Sequence, residues 1–251
     1  MHHLYIITGA SRGLGLALAR QLLGPAHRLL CLSRRTNEAL ADEARAAGAS
    51  CEQWSQDLAD ARTAAQRLSA WLKGHDPKAV ASATLINNAG VISRVGPLED
   101  SEATDLAHAL RVGLEAPLLL TSAFLRATQH WSVPRKVLNV SSGLGRRAMA
   151  GSAAYCAAKA GMDHFSRCVA LEQARLPHGA RIVSLAPGVI DTDMQEQLRH
   201  SDPAGFPDHE RFVQLQAQGL LSTPEDAARR LLEYLERPDF GQHPVADVRE
   251  A

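Results

Sequence analysis

The chain has 251 residues, enough for one α/β domain with a sizeable core. Lys plus Arg and Asp plus Glu each total 27, so the formal net charge is zero with neutral histidines, and nothing in that balance points to nucleic acid or a membrane surface. No apolar run nears the roughly 20 residues that span a bilayer, and MHHLYIITGA goes straight into a strand pattern without a secretory apolar region, so a cytoplasmic protein is expected.

The first predicted strand is Leu4–Thr8 and the first helix Gly13–Leu23. Between them lies Thr8-Gly9-Ala10-Ser11-Arg12-Gly13-Leu14-Gly15. Glycines let the backbone turn and come close to a pyrophosphate. The helix start then offers free N–H groups and a positive dipole end. The spacing is G-x-x-x-G-x-G, not the commoner G-x-G-x-x-G. Its place between strand and helix makes Gly9, Ser11, Arg12, Gly13, Leu14 and Gly15 candidate dinucleotide ligands.

A second strand, Arg28–Ser33, ends in Ser33-Arg34-Arg35. A site for NAD places an acid there for the ribose 2′-hydroxyl. Here the acid is missing and two guanidinium groups follow, which suits a 2′-phosphate. NADP(H) is therefore the expected cofactor, held by Ser33, Arg34 and Arg35, with Arg12 able to close on the same phosphate. A helix over Asn37–Ala47, a strand over Ser50–Ser55 and a helix over Ala59–Lys73 come next. Asp57 either accepts from an adenine amino group or caps the helix after it.

The fourth strand, Thr84–Asn87, ends in Asn87-Asn88-Ala89-Gly90. Asn88, Ala89 and Gly90 are candidate cofactor neighbours, since Gly90 leaves room for a flat group. A long helix over Glu102–Gln129 leads to a strand over Lys136–Ser141 and a helix over Ser152–Leu176. That last stretch carries the densest chemistry. Tyr155 and Lys159 stand four apart and share one helix face. A phenol becomes a useful proton donor or base when its pKa is drawn from about 10 toward neutrality, and a nearby ammonium supplies such a field. Ser142 arrives from another segment and can hydrogen-bond the same substrate oxygen. Ser142, Tyr155 and Lys159 form the candidate catalytic set.

The sixth strand, Arg181–Ala186, runs into Pro187-Gly188-Val189-Ile190-Asp191-Thr192. Pro187, Gly188, Ile190 and Thr192 can offer backbone groups and a hydroxyl to the cofactor. Asp191–Pro207 reads as irregular and as the most mobile stretch, within a substrate-loop region spanning 191–221. Helices over His209–Gln218 and Pro224–Glu236 and a strand over Pro244–Val248 close the chain. The apolar Leu144, Met149, Val189 and Met194 are candidate substrate-cleft residues. Strand–helix alternation in this order predicts a single-domain α/β fold. It is a Rossmann-type, doubly wound parallel sheet of about seven strands with helices on both faces. Cys31, Cys51, Cys156 and Cys168 form no C-x-x-C pair and read as small buried hydrophobes. The histidine spacings predict no metal site.

The blocks TGASRGLG, NNAG, NVSSG, YCAAK and PGVIDT, in that order, resemble the short-chain dehydrogenase/reductase family over nearly the whole chain. The resemblance implies that Ser142 polarises a carbonyl and that Tyr155 is the acid in reduction or the base in oxidation. It implies that Lys159 binds the nicotinamide ribose and lowers the tyrosine pKa, and that hydride moves between nicotinamide and the carbonyl carbon. It also implies a homodimer or homotetramer. Further stretches, including APGVIDTDMQ and RFVQLQAQGLLS, resemble the benzil-reducing enzymes of its sepiapterin-reductase-like branch. A small-molecule carbonyl substrate, one carbonyl of a 1,2-diketone, is expected from them. An NAD-linked alcohol dehydrogenase and a non-catalytic dinucleotide sensor are the alternatives. One departure stands out: the family's helical asparagine is replaced by Gly113, which keeps the carbonyl that holds a relay water. Gly113→Asn is accordingly expected to preserve activity.

Overall fold

Residues 1–250 are described in the computed structural model. Seven strands form one parallel sheet: β1 (His2–Thr8), β2 (His27–Ser33), β3 (Ser50–Ser55), β4 (Val80–Asn87), β5 (Arg135–Val140), β6 (Arg181–Ala186) and β7 (Val245–Asp247). Their spatial order is β3-β2-β1-β4-β5-β6-β7. The chain leaves β1 in one direction and returns on the other side at β4. Ligands in such sheets bind beyond the carboxyl ends of the strands at that reversal.

Period-two alternation along β1 divides the core. Tyr5 and Ile7 pack with Leu14 and Leu18 of α1 (Gly13–Gln21) and with Leu231 and Leu235 of a late helix, Pro224–Glu236. Leu4 and Ile6 face the other layer. There they meet Leu68 and Leu72 of a helix at Ala61–Lys73 and Leu120 and Phe124 of one at Ala116–Ala127. The fold is therefore a single-domain Rossmann architecture with helices on both faces. In chain order the other helices are α2 (Glu38–Ala46), α3 (Ala61–Lys73), α4 (Ala103–Leu110), α5 (Ala116–Ala127), α6 (Ala153–Gln173), α7 (Asp193–Arg199), α8 (His209–Ala217) and α9 (Pro224–Glu236).

Three expectations change. The stretch Asp191–Pro207 is not irregular: it contains α7 and a 3₁₀ turn at Pro203–Gly205. Asp193 and Glu196 in the first turn of α7 and Arg199 in its last complement the helix dipole. The cysteines are not all buried; Cys51 and Cys156 are half-buried and Cys168 is exposed. The long helix expected over Glu102–Gln129 is broken by a π-helical turn at Arg111–Glu115.

Gly113 is buried inside that π turn. A Cβ there would sit 3.1 Å from the Cβ of Ala158 on α6. The glycine therefore lets the π turn lie directly on the helix that carries Tyr155 and Lys159. Asparagine gains only about 0.3 kcal/mol of helix propensity over glycine, whereas overpacking costs about 1–3 kcal/mol. Gly113→Asn is now expected to lower the thermal midpoint, with Ala158→Gly restoring part of the loss. A midpoint unchanged or raised in Gly113→Asn would show that the two helices part easily.

Candidate active site

The glycine loop is fixed first. Thr8 at the end of β1 accepts from the backbone N–H groups of Asn88 and Ala89 through its hydroxyl, both at 3.0 Å. Asn88 returns a side-chain bond to the Thr8 carbonyl at 2.9 Å. The ends of β1 and β4 are thereby locked together. At Gly15 a Cβ would collide with the Gly9 carbonyl oxygen and lie 2.5 Å from the Asn88 amide nitrogen. Only glycine fits, and Gly9 itself has φ of 70°. The turn thus sits low and presents the α1 N-terminus upward, a cradle that fits a pyrophosphate. Asn37, which the sequence reading passed over, caps α2 and also donates to the Ser11 carbonyl at 2.9 Å, tying the β2 end to the loop.

A cleft of about 1000 Å³ opens above this loop. It is lined by Gly9, Ser11, Arg12, Gly13, Leu14 and Gly15 of the glycine loop, by Ser33, Arg34, Arg35 and Asp57 at one end, and by Ser142, Tyr155 and Lys159 at the other. Asn88, Ala89 and Gly90, then Pro187, Gly188, Ile190 and Thr192, line it as well. So do Leu144, Met149, Val189 and Met194. Every sequence-selected residue thus faces one space. Asp57 accepts from the Ala59 N–H at 2.9 Å, so its carboxylate also organises the turn before α3, whose own cap is Asp60. Arg12 pairs with Asp193 at the start of α7 and so faces across the cleft, not toward Arg34. Arg34 and Arg35 are exposed at the rim. Met149 and Leu144 belong to a satellite cluster with Val95, Leu198, Phe206 and Phe212, and so pack the α7–α8 region as well as facing the cleft.

Sequence reasoning missed His108, Arg211, Asp247 and Arg249, which also line the cleft. Asp247 at the end of β7 is buried and holds Arg249 at 2.6 Å. Arg249 reaches between Gly143 and Gly188, with atoms 4.0 and 3.9 Å from where their Cβ atoms would be. No motif marks Asp247 or Arg249; only the parallel addition of β7 beside β6 brings them here.

The catalytic candidates meet at the carboxyl end of β5. Tyr155 and Lys159 lie on the buried face of α6, 9% and 4% exposed. The Lys159 ammonium donates to the Val140 carbonyl at 2.6 Å and lies 5.7 Å from the centre of the Tyr155 ring. Ser142 accepts from the Leu144 N–H at 3.2 Å, which fixes its rotamer over the same floor. Gly90 passes close by; a Cβ there would sit 3.9 Å from the lysine nitrogen.

The electrostatics differ from expectation. Burial pushes the Tyr155 phenol up to about 12, while the Ser142 hydroxyl pulls the other way. Burial also draws the Lys159 ammonium down to about 8, opposed by Asp163. The lysine is turned to a carbonyl and is itself desolvated, so its field does not overcome the burial of the phenol. The phenol is accordingly protonated at neutral pH.

The short chain dehydrogenase family profile matches residues 3–203. The chain belongs to the short-chain dehydrogenase family. It is 37% identical to a benzil reductase ((S)-benzoin forming) of Bacillus cereus, covering 98% of each chain. It is 34% identical to a benzil reductase ((S)-benzoin forming) of Bacillus subtilis, covering 93% of each. A metagenomic short-chain oxidoreductase crystallised with NADP superposes with a TM-score of 0.72 at 26% identity, covering 98% of this chain and 94% of the other. An oxidoreductase acting on a small molecule with a nicotinamide dinucleotide follows from family and fold together.

The lysine value gives a pH expectation. Its ammonium is present below about 8 and lost as pH rises through that value. Reductive kcat/KM, which reports the groups of the free enzyme, should hold up to near pH 8 and then fall in a pH–rate profile. Activity rising steadily from pH 7 to 10 would contradict it.

Proposed function

We propose that this protein is an NADPH-dependent carbonyl reductase that reduces one carbonyl of a vicinal diketone such as benzil. The observation that carries this reading is the convergence of Ser142, Tyr155 and Lys159 on the floor of the cleft whose other end is the glycine loop. Reduction needs a proton donor, and the Tyr155 phenol can supply one to an oxygen held by Ser142. Oxidation needs the phenolate, which burial disfavours. The cradle at Gly15 and the loop–strand lock at Thr8 fit a dinucleotide. Gly9, Ser11, Gly13 and the α1 N-terminus would hold its pyrophosphate, and Arg34 and Arg35 its 2′-phosphate. When bound, the nicotinamide supplies the hydride.

The protein's own residues do the rest. Ser142, oriented by Leu144, donates to the carbonyl oxygen and sets it against Tyr155. Tyr155 delivers its proton to that oxygen as the alkoxide develops, a contribution of about 10²–10⁴-fold for a positioned acid. Lys159 stays charged below about pH 8 and stabilises the phenolate left behind. Leu144, Val189 and Met194 give the substrate an apolar wall, and the 191–221 region closes it. A second carbonyl beside the first withdraws electrons and lowers the barrier to hydride attack. The two Bacillus benzil reductases support this choice of substrate. The exposed Leu110, Leu118 and Leu171 on α4, α5 and α6 support a homodimer or homotetramer through those helices. Four free cysteines suit a reducing cytoplasm.

Two measurements test the reading. NADPH should exceed NADH in kcat/KM by about tenfold or more, roughly 1.4 kcal/mol, and Arg34→Asp should narrow or invert that ratio. Equal use of both cofactors by the unaltered protein would sink the NADP assignment. Benzil or 1-phenyl-1,2-propanedione should be reduced to the hydroxyketone faster than acetophenone or a sugar aldehyde. No turnover of any diketone, alongside good turnover of a charged carbonyl, would overturn the substrate and leave the reductase standing.

A further inference from the structure

Asp163 is the most deeply buried acid on α6, 1% exposed, and no family motif used above includes it. It lies four residues beyond Lys159 and eight beyond Tyr155, so the three side chains descend one helix face. One carboxylate oxygen accepts from the Ser141 hydroxyl at 2.5 Å and from the Ser184 hydroxyl at 2.7 Å. The first of these residues directly precedes Ser142. The other oxygen is buried without a hydrogen-bond partner. It faces Gly145, where a Cβ would lie 2.7 Å from it. The loop that presents Ser142 is therefore tied to the carboxylate at Ser141, and the other carboxylate oxygen lies close against Gly145.

A buried carboxylate with two hydroxyl donors and no ion-pair partner is costly unless its charge is used. Lys159, one turn away, is the cation placed to use it. The charged groups around the lysine are few. Tyr155 shares its helix face, β5 offers only the Val140 carbonyl, and the β4 end offers Gly90. Asp163 stands one helical turn from the buried ammonium and favours its charged form.

We propose that Asp163 is a positioning residue for the reaction: its carboxylate sets the Ser142 loop over Tyr155 and supplies the counter-charge to Lys159 from the next turn of α6. It touches neither substrate nor cofactor. It acts through the serine on one side and the lysine on the other, coupling two of the three catalytic groups through one buried anion. The inference rests on the assignment of Ser142, Tyr155 and Lys159 as the reactive set, and not on which carbonyl is the substrate.

The test is Asp163→Asn in the full-length protein. The amide oxygen still accepts from both serines, so the fold is retained and only the charge is removed. Two profiles are measured between pH 6 and 10: kcat for carbonyl reduction, and the Kd of NADPH by nicotinamide fluorescence. The basic limb of both should move down by roughly half a pH unit or more relative to the unaltered protein. Asp163→Glu, which restores the charge, should bring it back most of the way. A merely structural role would lower activity by one factor at every pH and leave the limb in place, and that result would overturn the proposal. The binding profile keeps the test independent of substrate: a protein that reduces no carbonyl offered would fail the functional reading, while the Kd limb would still decide on Asp163. Should Asp163→Asn not fold, Gly145→Ala displaces the same carboxylate without removing it. An unmoved limb there would likewise overturn the proposal.

Discussion

The Lys159 ammonium is enclosed in protein at 4% exposure and has a single hydrogen bond, to the last carbonyl of β5. A cation so placed is expensive, since desolvation favours its neutral form. The surroundings are built to tolerate it. Asp163 supplies a counter-charge from the next turn of α6, and the π turn at Arg111–Glu115 packs against that helix through Gly113. Tyr155 is then carried on the same face, one turn toward the helix start. The geometry of the reactive groups is thus a property of a rigid helix lying on a sheet, not of a flexible loop, which is what a proton donor needs to meet a carbonyl oxygen within hydrogen-bond reach.

The glycine loop belongs to the same constraint seen from the other strand. Thr8, Asn88 and Ala89 weld the ends of β1 and β4, so the dinucleotide cradle and the catalytic floor share a frame. Gly90 leaves this weld and passes within 3.9 Å, measured from an imagined Cβ, of the lysine nitrogen. A side chain at 15 would break the weld, and one at 90 would approach the ammonium. At 15 glycine is required for closeness of approach, while at 90 a Cβ would meet the lysine nitrogen only at ordinary contact distance.

Much of this was legible in the sequence for a physical reason. Parallel strands buried on both faces read as short apolar runs, and the seven expected strands fall on the seven observed ones, with β4 starting four residues earlier than expected, at Val80. Motif residues were legible because they sit at strand ends, where fold and chemistry impose the same residue types. The losses follow the same logic. The π turn inside Ala103–Ala127 is hidden because apolar residues such as Leu110, Val112, Leu114, Leu118, Leu119 and Leu120 are too dense for a one-residue shift of the stripe to show. Helix α7 was taken for irregular chain because Pro203, Gly205 and Pro207 lie close behind it, although Thr192 and the acids at 193 and 196 are helix-start signals. Arg249 and Asp247 reach the cleft only through the placement of β7, a long-range fact that no local spacing encodes.

The tyrosine shows where residue chemistry and three-dimensional setting part ways. The pairing at i and i+4 suggested a lysine that acidifies a phenol. The structure sets two desolvated groups side by side, and burial acts on both, raising the phenol and lowering the ammonium. Their shifts are opposite in sign because one is charged when deprotonated and the other when protonated. The raised phenol is a weaker acid at rest, so the ammonium matters most as the proton leaves. When that acid gives up its proton, the phenolate left behind is an anion 5.7 Å, ring centre to nitrogen, from a cation that burial had made reluctant. Each charge then favours the other, in a medium where the attraction is far stronger than in water. The pair is therefore weakly coupled before proton transfer and strongly coupled after it, which places the stabilisation on the path to the transition state rather than on the resting enzyme.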